Sequence, residues 1–502
     1  MPAERLESLV ILGGGTAGWM AAAALARFAP HLAITLVESE AIGTVGVGEA
    51  TIPQIHLFNA ALGLDEAEFL RDTKASFKLG IEFAGWTREG DSYMHAFGAI
   101  GRPAGLLPFQ HYWLRAKQLG FAKPLIRYSA NELAARTMRV QHGPTSPGAP
   151  ELPYAYHFDA ALYAAFLRRY AEARGVVRVE GKVASVERHA ESGDIASLQL
   201  EGGVRVAGDF FIDCSGFRGL LIEGEMAAGY EDWTRWLPCD RALAVPCASG
   251  GDFTPYTRST ARAAGWQWRI PLQHRIGNGY VYSSAHISDD EAAAVLLANL
   301  DGAPDGDPRP LRFTTGVRRN HWVGNCLAVG LSAGFLEPLE STSIHLAQSA
   351  ISRFLGVLPT GRPDPAIVDW FNAQAAFEWS RVRDFIILHY WANDRRGEPF
   401  WDERRAMELP EALAAKIDQW RAAGFIHREH EELFTEVGWF QVLAGQEVAA
   451  AGYNPLADAL PEAALRALLD GTEAALVEQV RGLPRHLDVL AALVGAQNGV
   501  AA

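Results

Sequence analysis

Cysteine is scarce in this sequence of 502 residues, which contains only Cys214, Cys239, Cys247 and Cys326. The four are widely separated and form no CxxC pair, so the sequence offers neither a disulfide framework nor a cysteine-built metal site. We therefore expect a protein of the cytoplasm, where thiols stay reduced, and we expect no bound metal.

Basic residues are also in short supply, because 45 lysines and arginines stand against 59 aspartates and glutamates, for a formal net charge of -14. Such a field repels polyanions, which argues against nucleic acid as a partner. Long apolar runs are missing too: none reaches the roughly 18 residues that a membrane-spanning helix needs. The charged start "MPAERLES" does not have the form of a signal peptide. We expect neither a nucleic-acid partner nor a membrane partner.

The patterns that are present predict an α/β protein. An apolar run at residues 9–12, a glycine-rich turn, a small-residue helix at about residues 17–28 and the strand-like "AITLVES" form a βαβ unit with parallel strands. Short alternating segments at about residues 176–213 indicate an antiparallel meander, and a second β-rich stretch covers about residues 241–287. From Ser341 onward the apolar spacing is mostly helical.

The glycine-rich turn has the G-x-G-x-x-G frame of a dinucleotide fingerprint, with Gly13, Gly15 and Gly18 placed between a strand and a helix. These glycines allow a tight turn, a close approach of backbone N–H groups to a pyrophosphate, and close packing of helix against strand. Glu38 follows Gly18 by 20 residues at the end of the next strand, where a carboxylate can accept hydrogen bonds from ribose hydroxyls. The motif leaves FAD and NAD both open.

Two later segments favour FAD. The stretches "DFFIDCSGFRG" (residues 209–219) and "CLAVGLSAGFLEP" (residues 326–338) each consist of a buried strand followed by a small-residue turn that returns to the same cleft. In the second, "VGLSAG" places backbone N–H groups where they can approach a flavin.

Several segments together carry a family resemblance. The motifs "GGGTAGW", "VGVGEATIP" (residues 45–53), "FKLGIEF" (residues 77–83), "WQWRIP" and "EPLESTSIH" (residues 337–345) resemble the motif set of the flavin-dependent tryptophan halogenases, in the same order. They extend over about two-thirds of the chain, and a W-x-W-x-I-P motif is highly specific by itself.

The resemblance implies an FAD-binding Rossmann-like core, similar to flavin monooxygenases of the GR2 type, with an additional β-sheet and a mostly helical C-terminal part. We expect residues 1–345 to form the FAD-binding core with interleaved β-rich substrate-side segments, and residues 346–502 to complete the substrate cavity. The implied FAD contacts are Gly13, Gly15, Thr16, Ala17, Gly18, Glu38, Ala50, Gly330 and Leu336.

The resemblance also implies a two-site reaction. A separate flavin reductase supplies reduced FAD, which with oxygen and chloride or bromide yields hypohalous acid, and the acid passes through an internal tunnel to an aromatic substrate. The protein itself is expected to be a monomer or a homodimer.

Lys78 aligns with the family's catalytic lysine, and Glu340 with Ser341 matches its second catalytic pair. A lysine in the apolar frame "SFKLGIEF" can donate a hydrogen bond to hypohalous acid or form a haloamine, although its stem could equally pack while its ammonium reaches water. A carboxylate near the substrate can polarise the acid and deprotonate the cationic ring. Thr342 and Ser343 begin a helix whose N–H groups suit a halide. The family usually has glycine at the second position, so the Ser343 side chain could either crowd the halide or add a hydroxyl donor, which leaves the preference between chloride and bromide open.

On the substrate side, His95 and Phe97 in "MHAFG" match residues that flank the indole ring, and Trp439 and Phe440 stand near the family's tyrosine positions. The tyrosine pair itself is absent, and the family's glutamate has no confident counterpart, since Gln446 and Glu447 are both nearby. A substrate ammonium would then lack a partner. We therefore expect indole or a larger indole-bearing molecule to be preferred over free tryptophan.

Trp266 and Trp268 in "GWQWRIP" alternate along a strand and point to one face, which ordinary core packing would also explain. In the family this motif lies beside the flavin, so we interpret the pair as a barrier that keeps the organic substrate away from the flavin. Two alternatives remain: an FAD-dependent aromatic hydroxylase, and a flavin-binding redox sensor without catalysis.

Overall fold

The computed structural model describes residues 5–42, 48–143, 151–249 and 253–495. The first three residues of the motif at 45–53 lie outside these ranges. The described chain folds into two compact units, each assembled from three separate segments. The first unit consists of Met1–Ala75, Phe158–Asp240 and Arg312–Ser380, and the second of Ser76–His157, Arg241–Leu311 and Arg381–Ala502. The expected boundary between an FAD-binding core and a C-terminal part at residue 345 stays a prediction.

A six-stranded sheet forms the centre of the first unit. Its strand order is Trp322–Val323, Cys326–Ala328, Phe210–Asp213, Ser8–Leu12, Ala33–Glu38 and Val177–Glu180. Every neighbouring pair is parallel except the hairpin at the Trp322–Val323 edge. The strands Ser8–Leu12 and Phe210–Asp213 are almost entirely buried, as expected where helices cover both faces of a parallel sheet. The predicted βαβ unit and Rossmann-like core are confirmed.

Two small antiparallel sheets complete the β-structure of the first unit. One has the order Arg205–Ala207, Ile195–Leu200 and Val183–Arg188, which is the predicted meander, and the other has the order Tyr230–Asp232, Gly316–Arg318 and Gly334–Phe335. The helices of this unit are Thr16–Phe28, Ile55–Leu62, Glu66–Asp72, Ala160–Glu172 and Ser343–Gly356, with short 3-10 turns at Gly216–Arg218, Gly330–Ser332 and Pro338–Glu340.

The second unit contains a seven-stranded sheet with the order Arg309–Arg312, Arg241–Cys247, Ile276–Tyr282, Gly265–Pro271, Thr257–Arg262, Gly80–Ala84 and Ser92–Ala96. From Arg241–Cys247 onward neighbouring strands are antiparallel, except that Thr257–Arg262 runs parallel to Gly80–Ala84. A short strand, Ser76–Lys78, pairs antiparallel with Ala155–Asp159.

Helices make up most of the chain after residue 341, as predicted. The long helix Pro365–Trp391 runs from the first unit into the second. The remaining helices of the second unit are Phe109–Gln118, Ala130–Arg136, Asp289–Ala298, Pro399–Arg405, Glu411–Ala423, Glu436–Gly445, Glu462–Arg481 and His486–Gly495. Within the described ranges, each helix is either too short or too polar to cross a lipid bilayer.

Candidate functional site

Close approaches between backbone atoms require glycine at two positions of the loop in the first unit. Gly13 has a φ of +114°, and a Cβ built on it would lie 2.2 Å from the carbonyl oxygen of Cys214. A Cβ on Gly18 would lie 1.9 Å from the carbonyl oxygen of Gly13, so helix Thr16–Phe28 can start this close to the turn only with glycine there. Gly15 is the N-cap of that helix. The loop therefore presents helical N–H groups in a form suited to an anion.

Glu38 lies over this loop with a fixed orientation. A Cβ on Gly14 would come within 1.3 Å of Glu38 Oε2, and Glu38 Oε1 accepts a hydrogen bond from Arg178 Nε at 2.5 Å. Arg178 belongs to the neighbouring parallel strand, where it pairs in register with Leu36. Sequence reasoning did not find Arg178, because its partner lies 140 residues away in the chain. One carboxylate oxygen is thus anchored while the other faces the glycine turn, as a ribose acceptor requires.

The two segments that favoured FAD meet at Asp213. Its Oδ2 accepts the backbone N–H groups of Leu221 and Ile222, both at 2.8 Å, and its Oδ1 accepts the Ser332 hydroxyl at 3.1 Å. The turn beginning at Gly330, which has a φ of +70°, also reaches the start of the first helix, since a Cβ on Gly330 would lie 2.6 Å from Ala17 Cβ. The predicted cofactor segments are therefore brought together within the first unit.

The motif "PLESTS" forms a turn followed by a buried helix N-terminus. Pro338–Glu340 is a 3-10 turn, Ser341 has a φ of +59°, and Thr342 is the N-cap of helix Ser343–Gly356. Glu340, Ser341 and Thr342 are all buried. The Thr342 hydroxyl makes no cap bond and has no hydrogen-bond partner within the described ranges. A buried helix N-terminus with an unused hydroxyl suits a small anion such as halide.

Glu378 anchors this helix from the long helix Pro365–Trp391. Its carboxylate accepts hydrogen bonds from Arg353 at 2.7 Å and from the Ser349 hydroxyl at 3.0 Å, and it faces His345 Nε2 at 3.4 Å. Burial opposes its ionisation, but His345 and Arg353 outweigh that effect and lower the pKa of Glu378 to about 2. All three partners lie on helix Ser343–Gly356, which is thereby held in one orientation.

Lys78 is fully buried in the second unit, at the end of the short strand Ser76–Lys78. Its Nζ lies 5.4 Å from the centroid of the Phe97 ring, within the range of a cation–π contact. The structure therefore brings together two of the residues that the sequence singled out. A buried lysine held against an aromatic face is not the solvent-reaching lysine of the alternative interpretation.

His157 lies on the strand that pairs with the Lys78 strand, opposite Ser76. The Ser76 hydroxyl donates to the carbonyl oxygen of Pro271 at 2.8 Å, so its contact with His157 Nδ1 at 3.3 Å has the imidazole as donor. His157 Nε2 then accepts from the Thr257 hydroxyl at 2.9 Å. Burial and the charge of Lys78 hold the pKa of His157 well below its usual range, which keeps the imidazole neutral.

This network ties the end of the tryptophan strand, Pro271, to the strand that carries Lys78. Ser76, His157, Thr257 and Pro271 come from four separate stretches of sequence, and no motif connects them. Sequence analysis missed His157 for that reason.

The tryptophan strand Gly265–Pro271 is buried along its whole length. Trp266 and Trp268 have ring centroids 6.2 Å apart. Trp268 lies directly over Gly279 of the next strand, where an added Cβ would come within 2.0 Å of Trp268 Cη2. The Trp268 indole N–H is buried and has no hydrogen-bond partner within the described ranges. The Trp268 ring is therefore held in place by packing and not by a hydrogen bond from its indole.

An aromatic cluster forms where helix Glu436–Gly445 packs against strand Ser92–Ala96. Phe385 stacks on Phe434 with centroids 3.8 Å apart, and Trp439 and His95 contact Phe385 at 4.8 and 5.4 Å. Gln441 bonds both the N–H and the carbonyl of Ala96, which fixes the helix on the strand. We call His95, Phe385, Phe434 and Trp439 the Phe385 cluster.

Phe440, the neighbour of Trp439, points elsewhere. It contacts Trp113 at 5.6 Å and Trp420 at 6.0 Å. Successive residues on a helix are about 100° apart, so Trp439 and Phe440 serve different clusters. Phe385 and Phe434 carried no sequence signal beyond their aromatic character.

Two acidic residues that neighbour members of the Phe385 cluster in the chain have cationic partners. Glu432 accepts from Lys416 at 2.8 Å. Asp384, whose pKa is raised mainly by burial, bonds Arg383 through Oδ1 at 2.7 Å, while its Oδ2 lies 3.6 Å from Arg381 and accepts no hydrogen bond within the described ranges. The exposed Glu447 pairs with Arg88 at 2.7 Å. The Gln446 amide donates to the carbonyl oxygen of His389 at 2.9 Å.

Comparison with known proteins decides the family. Residues 8–462 match the family model for tryptophan halogenases. The chain belongs to this family. Tryptophan 7-halogenase RebH of Lentzea aerocolonigenes is 32% identical over 530 residues, covering 99% of each chain. Among solved structures, the flavin-dependent halogenase Xcc4156 of Xanthomonas campestris has a TM-score of 0.94 and 46% identity, covering 97% of this chain and 98% of the other.

A second solved relative, the flavin-dependent halogenase BrvH of Brevundimonas sp. BAL3, has a TM-score of 0.93 and 45% identity, covering 97% of this chain and 99% of the other. The chain is thus a flavin-dependent halogenase, an enzyme that uses FAD and halide. The comparisons do not support the hydroxylase or the redox sensor. The glycine loop with Glu38, and the buried helix start at Thr342, fit a dinucleotide and a halide respectively.

Proposed function

We propose that this halogenase acts on an indole-type aromatic other than free tryptophan, with reduced FAD from a separate flavin reductase. Bound reduced FAD would supply two electrons that, with oxygen, a proton and halide, produce hypohalous acid and water. The residues proposed to hold FAD are Gly13, Gly15, Thr16, Ala17, Gly18, Glu38, Ala50, Gly330 and Leu336. The close backbone approaches at Gly13, Gly18 and Gly330 support this set.

We assign halide binding to Thr342 and Ser343, whose helix is held by Glu378. The unused Thr342 hydroxyl is a hydrogen-bond donor aimed at no protein acceptor in the described part of the chain. Ser343 adds a side chain where the family usually has glycine. Its hydroxyl can contribute a further donor to the anion.

Lys78 is proposed to hold hypohalous acid by hydrogen bonding, or to form a haloamine with release of water. Its complete burial beside the Phe97 ring supports this role, because a hydrogen bond from a desolvated amine to a bound molecule is stronger than the same bond made in water. Glu340 is proposed to accept the proton that the ring loses when the carbon–halogen bond forms, with Ser341 beside it. The overall exchange converts aromatic C–H and hypohalous acid into aromatic C–halogen and water.

The Phe385 cluster and Phe97 form the proposed contact surface for the flat substrate ring. Phe440 lies on the same helix as Trp439 and anchors it by packing against Trp113 and Trp420. Trp266 and Trp268 are the proposed barrier on the flavin side. The observation that carries the substrate proposal is that both carboxylate oxygens of Glu432, two residues before Phe434 in the chain, accept hydrogen bonds from the buried Lys416. A tryptophan ammonium that used Glu432 would have to displace Lys416, and breaking such a buried hydrogen-bonded charge pair costs about 2–5 kcal/mol.

The test supplies FAD, a flavin reductase, NADH, oxygen and bromide together with indole or L-tryptophan, and reads products by mass spectrometry. We expect brominated indole to form faster than brominated tryptophan. Lys78→Met should abolish product without weakening FAD binding, while Lys117→Met, an exposed lysine, should leave product formation unchanged. Faster bromination of tryptophan would contradict the substrate proposal, and addition of oxygen instead of bromine would contradict the reaction.

A further inference from the structure

A cavity of about 680 Å³ lies within the second unit, on one face of the seven-stranded sheet. Its floor is formed by alternate residues of two adjacent strands, namely Arg258, Thr260, Arg262, Gln267 and Arg269. Side chains alternate along a strand, so Gln267 and Arg269 project from the face opposite to Trp266 and Trp268. The "WQWRIP" motif thus has two faces, and the proposed reaction uses only the tryptophan face.

The size of the cavity suits a small molecule, since ligand sites typically measure roughly 300–1,000 Å³. Its lining is polar and charged, with alanine and glycine as the only apolar residues. Such a lining does not suit an indole. A ligand here would have to be polar.

Three of the cavity's arginines have carboxylate partners. Arg258 bonds Glu82 at 2.6 Å, and Arg269 bonds Asp301 at 2.6 Å. Arg395 forms a two-pronged ion pair with Glu398, at 2.5 and 2.7 Å. These charges are compensated within the protein.

Arg262 is different. Its Nε and one terminal nitrogen donate to the amide oxygen of Gln267, at 3.1 and 2.9 Å, and no carboxylate of the described residues lies within ion-pair distance. Partial burial and the neighbouring charge of Arg395 lower its pKa, although Tyr280 acts in the opposite sense. The chain has 59 acidic residues against 45 basic ones, so a shortage of carboxylates does not explain this arrangement.

Gln267 also fixes the direction of the guanidinium. Because its oxygen takes Nε and one terminal nitrogen, the other terminal nitrogen of Arg262 is left for a ligand. Thr260, two residues earlier on the same strand, adds a hydroxyl to the same floor. A planar guanidinium held in one orientation is well suited to an oxyanion.

We propose that this cavity binds the phosphate or carboxylate group of a small polar molecule, with Arg262 recognising the anionic group. Glu89, Asp91 and Glu398 also line the cavity and limit the ligand to one anionic group, because a polyanion would meet their charges. This site is separate from the proposed halogenation chemistry and does not depend on it.

The test is isothermal titration of the protein with inorganic phosphate and, separately, with succinate. Saturating FAD and chloride are present throughout, so that the glycine loop and the helix start at Thr342 are occupied. We expect saturable binding of at least one probe at one site per chain, and the probe that binds more tightly identifies phosphate or carboxylate as the preferred group.

Arg262→Gln should weaken that binding at least tenfold. Arg481→Gln, which changes an exposed arginine paired with Glu478 and outside the cavity lining, should leave it unchanged. Glu398→Gln removes the counter-charge of Arg395 and should tighten binding, an effect in the opposite direction that loss of folding cannot produce. The proposal is overturned if neither probe binds the wild-type protein, or if Arg262→Gln titrates like wild type.

Discussion

Replacing Glu378 by glutamine removes the charge that holds helix Ser343–Gly356, at whose start halide binding is proposed. Glu378 is buried on helix Pro365–Trp391, where its carboxylate accepts hydrogen bonds from Arg353 and Ser349. His345 Nε2 lies 3.4 Å from the same carboxylate. Glutamine has nearly the same volume, so the change is in charge and hydrogen bonding and not in packing. Arg353, and His345 when protonated, would then lose their counter-charge in a buried setting.

The size of the effect follows from the pKa. A shift from 4.5 to about 2 corresponds to about 3 kcal/mol, at roughly 1.4 kcal/mol per unit. Because the folded state lowers the pKa, this stabilisation is fully present above pH 4.5 and is lost as the pH falls toward 2. We expect Glu378→Gln to lower the free energy of unfolding by about 3 kcal/mol at pH 7.

The assay is urea unfolding of both proteins at pH 7 and at steps down to pH 3. The difference between them should stay constant from pH 7 to about 5 and then shrink. Glu462→Gln, which breaks an exposed pair with Arg466, is the control and should change stability by no more than about 0.5 kcal/mol. In turnover, we expect Glu378→Gln to raise the KM for halide more than it lowers kcat. A loss below about 0.5 kcal/mol, or one that does not shrink below pH 4.5, would refute the reasoning.

Three further predictions follow from buried contacts. Thr257→Val leaves His157 Nε2 without a donor and should lower the free energy of unfolding by about 1–3 kcal/mol in urea titration, whereas an unchanged midpoint would contradict the assigned tautomer. Gly279→Ala pushes the Trp268 ring aside and should cost about 1–3 kcal/mol while raising peroxide release per NADH consumed; unchanged peroxide would count against the barrier role. Burial raises the pKa of Glu49, on strand Gly48–Ala50, to about 7, so a destabilising contribution from this carboxyl should grow as pH rises from 4.5 to 7; Glu49→Gln should therefore gain on the wild type over that range in thermal unfolding, and a difference independent of pH would contradict the raised pKa.

Much of the cofactor region was accessible from sequence because its requirements are local. The positions of Gly13 and Gly18 follow from backbone contacts within one turn and its neighbouring strand, and such contacts leave a motif. Glu38 was found in the same way, through its distance from the loop. Arg178, which anchors Glu38, was not found, because parallel strand pairing joins residues that are far apart in the chain.

The proposed substrate region depends more on tertiary packing than on local motifs. Trp439 and Phe440 are adjacent and both aromatic, yet only Trp439 contacts Phe385, and that difference depends on how helix Glu436–Gly445 is rotated against strand Ser92–Ala96. The rotation is set by Gln441 and its bonds to Ala96, which no residue pattern predicts.

The sequence by itself determined the family, the α/β class and the glycine loop, and it singled out Lys78, Glu340 and the tryptophan pair as the proposed site residues, because each belongs to a motif of adjacent residues. Only the tertiary structure decided the neutral state of His157, the anchoring of helix Ser343–Gly356 by Glu378 and the lack of a carboxylate partner at Arg262. These properties are sums of burial and of interactions with residues from distant segments, and those interactions exist only once the chain has folded.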